Sequence, residues 1–130
     1  MGTDIHGWIE CRNTNIDTDD EQIWFPTVDF GRVYLGRDYD VFALLFGVRN
    51  CRKVQPLAAE RGLPKYISSE IKARATESSS FFSHTWITWH ELKQSSWRAD
   101  IYWEPAMKIM EILADIYGDK NVCLIVWFED

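Results

Sequence analysis

Hydrophobic and polar residues alternate along the first predicted strand, which runs from Thr3 to Arg12. The odd positions 5–11 hold isoleucine, glycine and cysteine, whereas the even positions are polar or aromatic, so one face of the strand should contact a core. A second strand is predicted from Gln22 to Val28, where Pro26 favours an edge position. The polar run from Asn13 to Glu21 is typical of a loop. The two strands are therefore predicted to form an antiparallel hairpin.

A short helix is predicted within the segment from Arg37 to Asn50, because its central residues are apolar on nearly every side. Asp38 or Asp40 can cap the first turn, since a carboxylate there accepts hydrogen bonds from unpaired backbone N–H groups. Gly47 is expected to end the helix. The helix should be buried, and the chain that leaves it carries a polar cluster to one edge of the fold. This cluster comprises Arg49, Asn50, Arg52 and Lys53.

The second half of the chain contains further helices and strands. Thr88 and Glu91 have the spacing of a capping box, Pro105 suits the first turn of a helix, and Gly118 suits its end. Seven consecutive apolar residues from Val122 are typical of a strand that is buried on both faces. The predicted elements are a short strand over 32–35, a loop over 49–64, a weak helix over 70–77, a strand over 82–87, a helix over 89–94, a long helix from Glu104 and a strand over 122–128.

These elements indicate one α+β domain over residues 1–130. It should contain a small mixed or antiparallel sheet of about four strands, packed with the central and the C-terminal helix. The formal net charge is −6, which argues against the binding of extended nucleic acid, because such binding normally uses a basic surface. The seven tryptophans, seven phenylalanines and five tyrosines exceed what a core of this size needs, so a homo-oligomer is expected.

Other sequence features restrict the location and the chemistry of the protein. Three cysteines without CxxC spacing indicate reduced thiols. The chain has neither a signal peptide nor an apolar run of transmembrane length, so we expect a cytoplasmic protein that does not associate with a membrane. A P-loop, GxGxxG, GxSxG and HExxH are all missing from the sequence, and we expect neither a cofactor nor a metal.

Asp4 and His6 are the first candidate site residues. They are two positions apart on a predicted strand, so their side chains project to the same face. A carboxylate beside an imidazole can fix the tautomer of the ring and raise its basicity. In a hydrolase, His6 or His84 would be the general acid or base and Asp4 the orienting carboxylate. The structural alternative is an aspartate that caps a turn beside a half-exposed histidine.

The segment Ser83-His84-Thr85-Trp86 provides a second candidate. His84 and Trp86 share one strand face, where Trp86 can stack on a ligand ring while His84 forms a hydrogen bond. Trp8 is an alternative stacking residue. Two-histidine phosphodiesterases carry a hydroxyl two positions after the histidine, and that position is a tryptophan here. A core tryptophan beside a satisfied histidine fits the pattern equally well.

Cationic residues that follow the central helix form the third candidate. Arg49, Arg52 and Arg61 can bind phosphate through two parallel hydrogen bonds each, and Asn50 can bind the edge of a base. Ion pairing with surface carboxylates is the structural alternative. The sequence therefore predicts a ligand site that comprises His6, Trp8, Arg49, Asn50, Arg52, Arg61, His84 and Trp86.

Several blocks of the chain resemble a family of small tailed-bacteriophage and prophage proteins. The blocks are DIHGWIE within residues 3–10, RDYDVFALLFGVRN at 37–50, RGLP at 61–64, SHTWITWHEL at 83–92 and the C-terminal YGDKNVCLIVWFED. The resemblance implies a phage or prophage origin and expression in the cytoplasm of an infected bacterium. It implies no particular activity and no catalytic residue.

The residues and the resemblance together lead to three hypotheses. The first is an accessory phage protein that binds and sequesters a small phosphorylated, nucleotide-like ligand, such as a host immune signal. The second is a phosphodiesterase-like hydrolase that cleaves such a signal. The third is a protein that inhibits a host factor by docking on it through exposed tryptophans. The step from phage origin to defence is an analogy between small accessory phage proteins.

Overall fold

Four antiparallel strands form the only sheet among the described residues. The computed structural model describes residues 2–13 and 24–130. The strands are β1 (Asp4–Cys11), β2 (Phe25–Asp29), β3 (Phe82–Thr88) and β4 (Val122–Glu129), and they lie side by side in the order β2-β1-β4-β3. The α+β fold with a four-stranded sheet is confirmed, and so is the antiparallel β1–β2 hairpin.

The helices begin and end at the residues that their caps favour. Asp38 caps the helix that the sequence predicted after Arg37, since its carboxylate accepts a hydrogen bond from the Val41 N–H, and Gly47 ends it with a φ of 71°. The Thr88–Glu91 capping box is formed. The α-helices are α1 (Tyr39–Phe46), α2 (Ser69–Ala75), α3 (Trp89–Gln94) and α4 (Glu104–Tyr117), and 3-10 turns lie at Phe30–Arg32 and Asp119–Asn121.

Strand β4 is covered on both faces, as its apolar composition predicts. Residues 122–128 are all buried. On one face, Leu124, Val126 and Phe128 pack into a cluster that includes residues of α1, α3 and α4. On the other face, which we call the α2 face, Cys123, Ile125 and Trp127 pack with residues of α2 and the preceding loop. The sheet is therefore the middle of three layers.

The segment over 47–68 passes from the α1 side of the sheet to the α2 face. The Leu57 N–H donates to the Leu44 carbonyl of α1 at 3.0 Å, and the Gly62 N–H donates to the His84 carbonyl of β3 at 2.9 Å. Further along, the Tyr66 carbonyl accepts a hydrogen bond from the Trp24 N–H, next to β2. The segment therefore crosses the β3 edge and then extends across the α2 face towards β2.

Some sequence-based expectations are wrong or concern residues outside the structure. The short strand over 32–35 does not form, because a 3-10 turn over Phe30–Arg32 redirects the chain there. The greater part of the loop predicted from Asn13 to Glu21 and the first residues of the strand predicted from Gln22 lie outside the described residues. Within the described ranges, no helix combines the length and the apolar character that crossing a membrane requires.

The first prediction concerns α1. Leu45 is fully buried between this helix and the sheet, so Leu45→Ala should lower the free energy of unfolding by ~2–5 kcal/mol through lost burial and a residual cavity. Urea unfolding followed by tryptophan fluorescence measures this loss. Ile112→Ala on α4 is the control, because Ile112 is 61% exposed and should change stability by less than ~0.5 kcal/mol. A loss below ~1 kcal/mol for Leu45→Ala would contradict the burial of α1.

Candidate functional site

Seven of the eight predicted ligand-site residues line three separate cavities of the described structure, and His84 lines none of the three. Arg49, Asn50 and Arg52 line one of them. His6 and Trp8 line another, and Arg61 and Trp86 line a third. The three linings share no residue, so the structure does not bring the predicted residues together in one site.

Arg49 lies in a cavity of about 430 Å³ at the end of α1. Its Nε donates a hydrogen bond to Thr3 Oγ1 at 2.8 Å, and its guanidinium lies 4.6 Å from the centre of the Tyr39 ring. The Asn50 side chain closes its own loop through hydrogen bonds with both the N–H and the carbonyl of Val54. Asn50 is therefore engaged in loop structure, and Arg49 is held against Thr3 and Tyr39.

The His6 cavity is smaller, about 170 Å³. His6 Nε2 lies 3.1 Å from the Glu129 carboxylate, and its ring packs against Phe81 and Trp127. Trp8 lies beneath the Arg74 guanidinium, with 5.2 Å between the guanidinium carbon and the ring centre. Both predicted residues thus have partners within the protein.

Asp4 and His84, the other two predicted catalytic residues, are likewise engaged. The Asp4 carboxylate accepts hydrogen bonds from the Arg37 guanidinium at 2.7 Å. His84 Nε2 lies 2.7 Å from the Ala75 carbonyl, and its ring stacks on Trp127. Asp4 and His6 do share a strand face, but each contacts a different partner.

The third cavity, of about 620 Å³, is the largest of these three, and we call it the Trp24–Trp86 cleft. It lies on the α2 face, where the ends of β1, β3 and β4 meet the loop that crosses the sheet. Among the described residues, four cationic side chains, three tryptophan or tyrosine rings, one histidine and one carboxylate contribute to its lining. The lining residues are Arg12, Trp24, Arg61, Pro64, Lys65, Tyr66, Trp86, Thr88, His90, Glu91 and Lys120.

The Arg61–Glu91 ion pair forms one wall of this cleft. The two groups make a bidentate contact with distances of 2.6 and 2.9 Å. Arg61 also donates to the carbonyls of Trp86 and Leu57, and its guanidinium lies 5.0 Å from the Trp86 ring centre. Hydrogen bonding from Arg61 holds the pKa of Glu91 below its usual value, so this carboxylate is ionised at neutral pH. Four N–H groups of Arg61 are directed at protein oxygens. Arg61 therefore forms part of the wall and has few hydrogen-bond donors left for a ligand.

Arg12 and Lys120 form the opposite wall. The Arg12 guanidinium lies 4.6 Å from the centre of the Trp24 ring, and Asn121 orients it by accepting a hydrogen bond from Nε at 2.8 Å. Neither Arg12 nor Lys120 forms an ion pair with a carboxylate among the described residues. A fork of N–H donors held rigidly on an aromatic ring is suited to binding phosphate or carboxylate.

A buried carboxylate on β1 holds the loop that carries the third wall. Glu10 is fully buried, and its oxygens accept hydrogen bonds from the Ser68 hydroxyl and the Ser68 N–H. The same Ser68 hydroxyl caps α2 by accepting from the Ile71 N–H. Burial raises the pKa of Glu10, although the two hydrogen bonds from Ser68 oppose the shift. Pro64, Lys65 and Tyr66 of the cleft lie just before this anchor.

Most residues of the cleft are not predicted from the sequence. Arg61 and Trp86 are predicted site residues. Five others that line the cleft come from four separate segments and are not: Arg12, Trp24, Lys65, Tyr66 and Lys120. Arg12 ends a predicted strand on the face of Trp8 and Glu10, and this position was the one available signal that a cation borders the α2 face. Nothing in the spacing of Trp24 or Lys120 indicates that they face the same space.

Across residues 2–13 and 24–130, no group of three or more His, Cys, Asp and Glu side chains is arranged to hold a metal ion. Cys11 and Cys123 are buried and Cys51 is exposed, all three as free thiols. Burial raises the pKa of Cys11 to about 11 and raises that of Cys123 well above its usual value, so neither buried thiol supplies a thiolate at neutral pH.

Comparisons with known proteins add no family to this description. Neither a protein-family model, a curated protein nor a solved structure matches this chain.

The second prediction concerns Glu10. Because its pKa is raised in the folded protein, the folded state binds more protons than the unfolded state between the two pKa values. The contribution of Glu10 to stability should therefore fall as pH rises from about 4.5. Glu10→Gln keeps the acceptor for Ser68 without a titratable group, so the melting temperature of the wild type relative to this variant should decrease over that pH window.

Glu91→Gln is the matched control, because the pKa of Glu91 is shifted in the opposite direction. The stability that Glu91 contributes is present above its unfolded pKa and is lost as pH falls. The wild type should therefore gain stability relative to Glu91→Gln as pH rises from about 3 to 5. Differential scanning calorimetry from pH 3 to pH 7 measures both variants. Equal slopes for the two would contradict the buried, charge-disfavouring environment of Glu10.

Proposed function

We propose that this protein binds a small phosphorylated, nucleotide-like ligand in the Trp24–Trp86 cleft. The observation that supports this proposal most is the local charge. In a chain of net charge −6, the described lining of the cleft contains four cationic side chains and one carboxylate, and this carboxylate is paired with Arg61. A concave surface of one sign raises the local concentration of oppositely charged ligands and speeds their association.

The aromatic side chains of the cleft favour a ligand that also contains a flat ring. Bases of nucleotides stack on aromatic rings and on guanidinium planes, and the cleft provides Trp24, Tyr66 and Trp86 together with the guanidinium groups that lie over the two tryptophans. The volume of about 620 Å³ falls in the range of small-molecule sites. Charge and rings together fit a nucleotide better than they fit an inorganic anion.

Binding without cleavage is the favoured form of this function. A hydrolase would need an acid or base beside the phosphate-binding cations. Asp4, His6 and His84, the residues predicted for that role, do not line the cleft and already contact Arg37, Glu129 and the Ala75 carbonyl. His90 and Glu91 do line the cleft, but Glu91 already accepts hydrogen bonds from Arg61 and Thr88. Its lowered pKa also makes it a weak base. We therefore propose that a bound ligand is held intact.

The resemblance to small phage proteins suggests a use for such binding. A phage protein that holds a nucleotide immune signal would lower its free concentration in the infected cell. Sequestration requires only affinity and abundance, and this is compatible with a cleft whose carboxylate, Glu91, is engaged by Arg61. Chromatography distinguishes binding from cleavage: the ligand is incubated with the protein, released by heat and analysed. Recovery of unaltered nucleotide supports binding without cleavage, and recovery of altered nucleotide contradicts it.

The third prediction concerns Arg12. Removing its guanidinium by Arg12→Ala should weaken nucleotide binding by roughly ten- to a hundredfold, because a charge-assisted hydrogen bond of ~1.5–3 kcal/mol is lost. Isothermal titration calorimetry against a panel of nucleoside phosphates, cyclic nucleotides and ADP-ribose-type nucleotides measures the affinity. Arg12→Lys should restore only part of it, since the charge remains but the fork of donors does not.

Arg98→Ala provides the control for charge. Arg98 is exposed, donates to the carbonyls of Ser95 and Trp97, and does not line the cleft. Its removal should leave the affinity within about twofold, as expected for an exposed charge distant from the site. If folded wild-type protein releases no heat with any nucleotide in the panel, or if both arginine variants bind equally well, the proposed function is wrong.

A further inference from the structure

The charges within the Trp24–Trp86 cleft are not distributed evenly. Arg12 and Lys120 face it without a carboxylate partner among the described residues. On the other wall, the charge of Arg61 is compensated by Glu91 through the bidentate contact. Within the part of the chain that the structure describes, one wall therefore carries a positive charge without an ion-pair partner, and the wall beside Trp86 carries a neutral pair.

The strand register separates the two walls. Arg12 directly follows Cys11, which pairs with Val122 across the β1–β4 ladder, whereas Trp86 pairs with Ile125 across the β3–β4 ladder. Arg12 and Trp86 are thus two strands apart across the sheet and at least three residue positions apart along β4. Standard strand spacing places their backbones ~14 Å apart or more. A ligand that spans this distance meets different charge at its two ends.

A second anionic group on the ligand would gain little binding free energy beside Trp86. Four N–H groups of Arg61 are already directed at Glu91, Trp86 and Leu57. Glu91 stays ionised because its pKa is lowered, and its negative charge compensates that of Arg61, so this wall offers a phosphate little net electrostatic attraction. The Trp86 ring and the Arg61 plane instead provide a surface on which an uncharged ring can stack.

We infer that the cleft selects a ligand with one anionic end and one uncharged flat end, of the class of nucleoside monophosphates. The inference rests on the proposed function and restricts the ligand to one class of nucleotide. The phosphate contacts Arg12 and Lys120, and the base stacks at the Trp86 wall. A terminal phosphate also carries more charge at neutral pH than either phosphodiester of a cyclic dinucleotide, since only the terminal group has a second ionisation near pH 6.

The test compares three ligands on the wild-type protein by calorimetry: a nucleoside, its 5′-monophosphate and a cyclic dinucleotide that contains the same base. The monophosphate should bind at least ~10-fold more tightly than either of the other two. In the variant Lys120→Ala, the affinity for the monophosphate should fall by ~10-fold, whereas the affinity for the nucleoside should be unchanged.

Lys72→Ala is the control, because Lys72 is an exposed lysine on α2 that does not line the cleft. This substitution should leave the affinity for all three ligands unchanged. Tighter binding of the cyclic dinucleotide than of the monophosphate, or an equal effect of Lys120→Ala on nucleoside and monophosphate, would overturn this inference while leaving nucleotide binding itself in place. Absence of binding by all three ligands would overturn the proposed function and this inference with it.

Discussion

Strand β4 determines the layering of this protein. Its residues 122–128 are buried without interruption, so apolar side chains project from both faces of the sheet. Full burial of each such side chain stabilises the fold by ~1.5–3 kcal/mol, and this gain requires cover on both sides. The helices α1 and α4 cover one face, and α2 with the loop that crosses the β3 edge covers the other. Because the second cover is largely loop, it leaves a cleft where the loop and the strand ends diverge.

Polar interactions keep the walls of this cleft in place. Glu10 and Ser68 join β1 to the start of α2, and Arg61 joins the crossing loop to Glu91 at the start of α3. Both contacts use carboxylates, but their environments differ: burial disfavours the charge of Glu10, whereas the guanidinium of Arg61 favours the charge of Glu91. Two further cations of the cleft, Arg12 and Lys65, lie over the rings of Trp24 and Tyr66, so positive charge and aromatic surface occur together there.

The sequence predicted the elements well, because their signals are local. The Asp38 cap, the Thr88–Glu91 capping box and the helix that begins at Glu104 each depend on residues within a few positions. The candidate site was predicted less well, because it depends on which segments meet. Arg49 and Arg61 are twelve positions apart in one loop, yet the loop crosses the sheet edge between them and they line different cavities. No periodicity in the sequence predicts that the loop crosses the sheet edge.

The most direct test of this account is a nuclear magnetic resonance titration with a nucleoside monophosphate, observed at the indole N–H signals of the tryptophans. Trp24 and Trp86 line the cleft, Trp8 lines the His6 cavity, and Trp103 is fully buried outside all three cavities. The account predicts shifts for Trp24 and Trp86 that saturate together, with Trp8 and Trp103 unchanged. Shifts confined to Trp8, or to the backbone amides of residues 49–54 beside Arg49, would contradict it and move the binding site to another cavity.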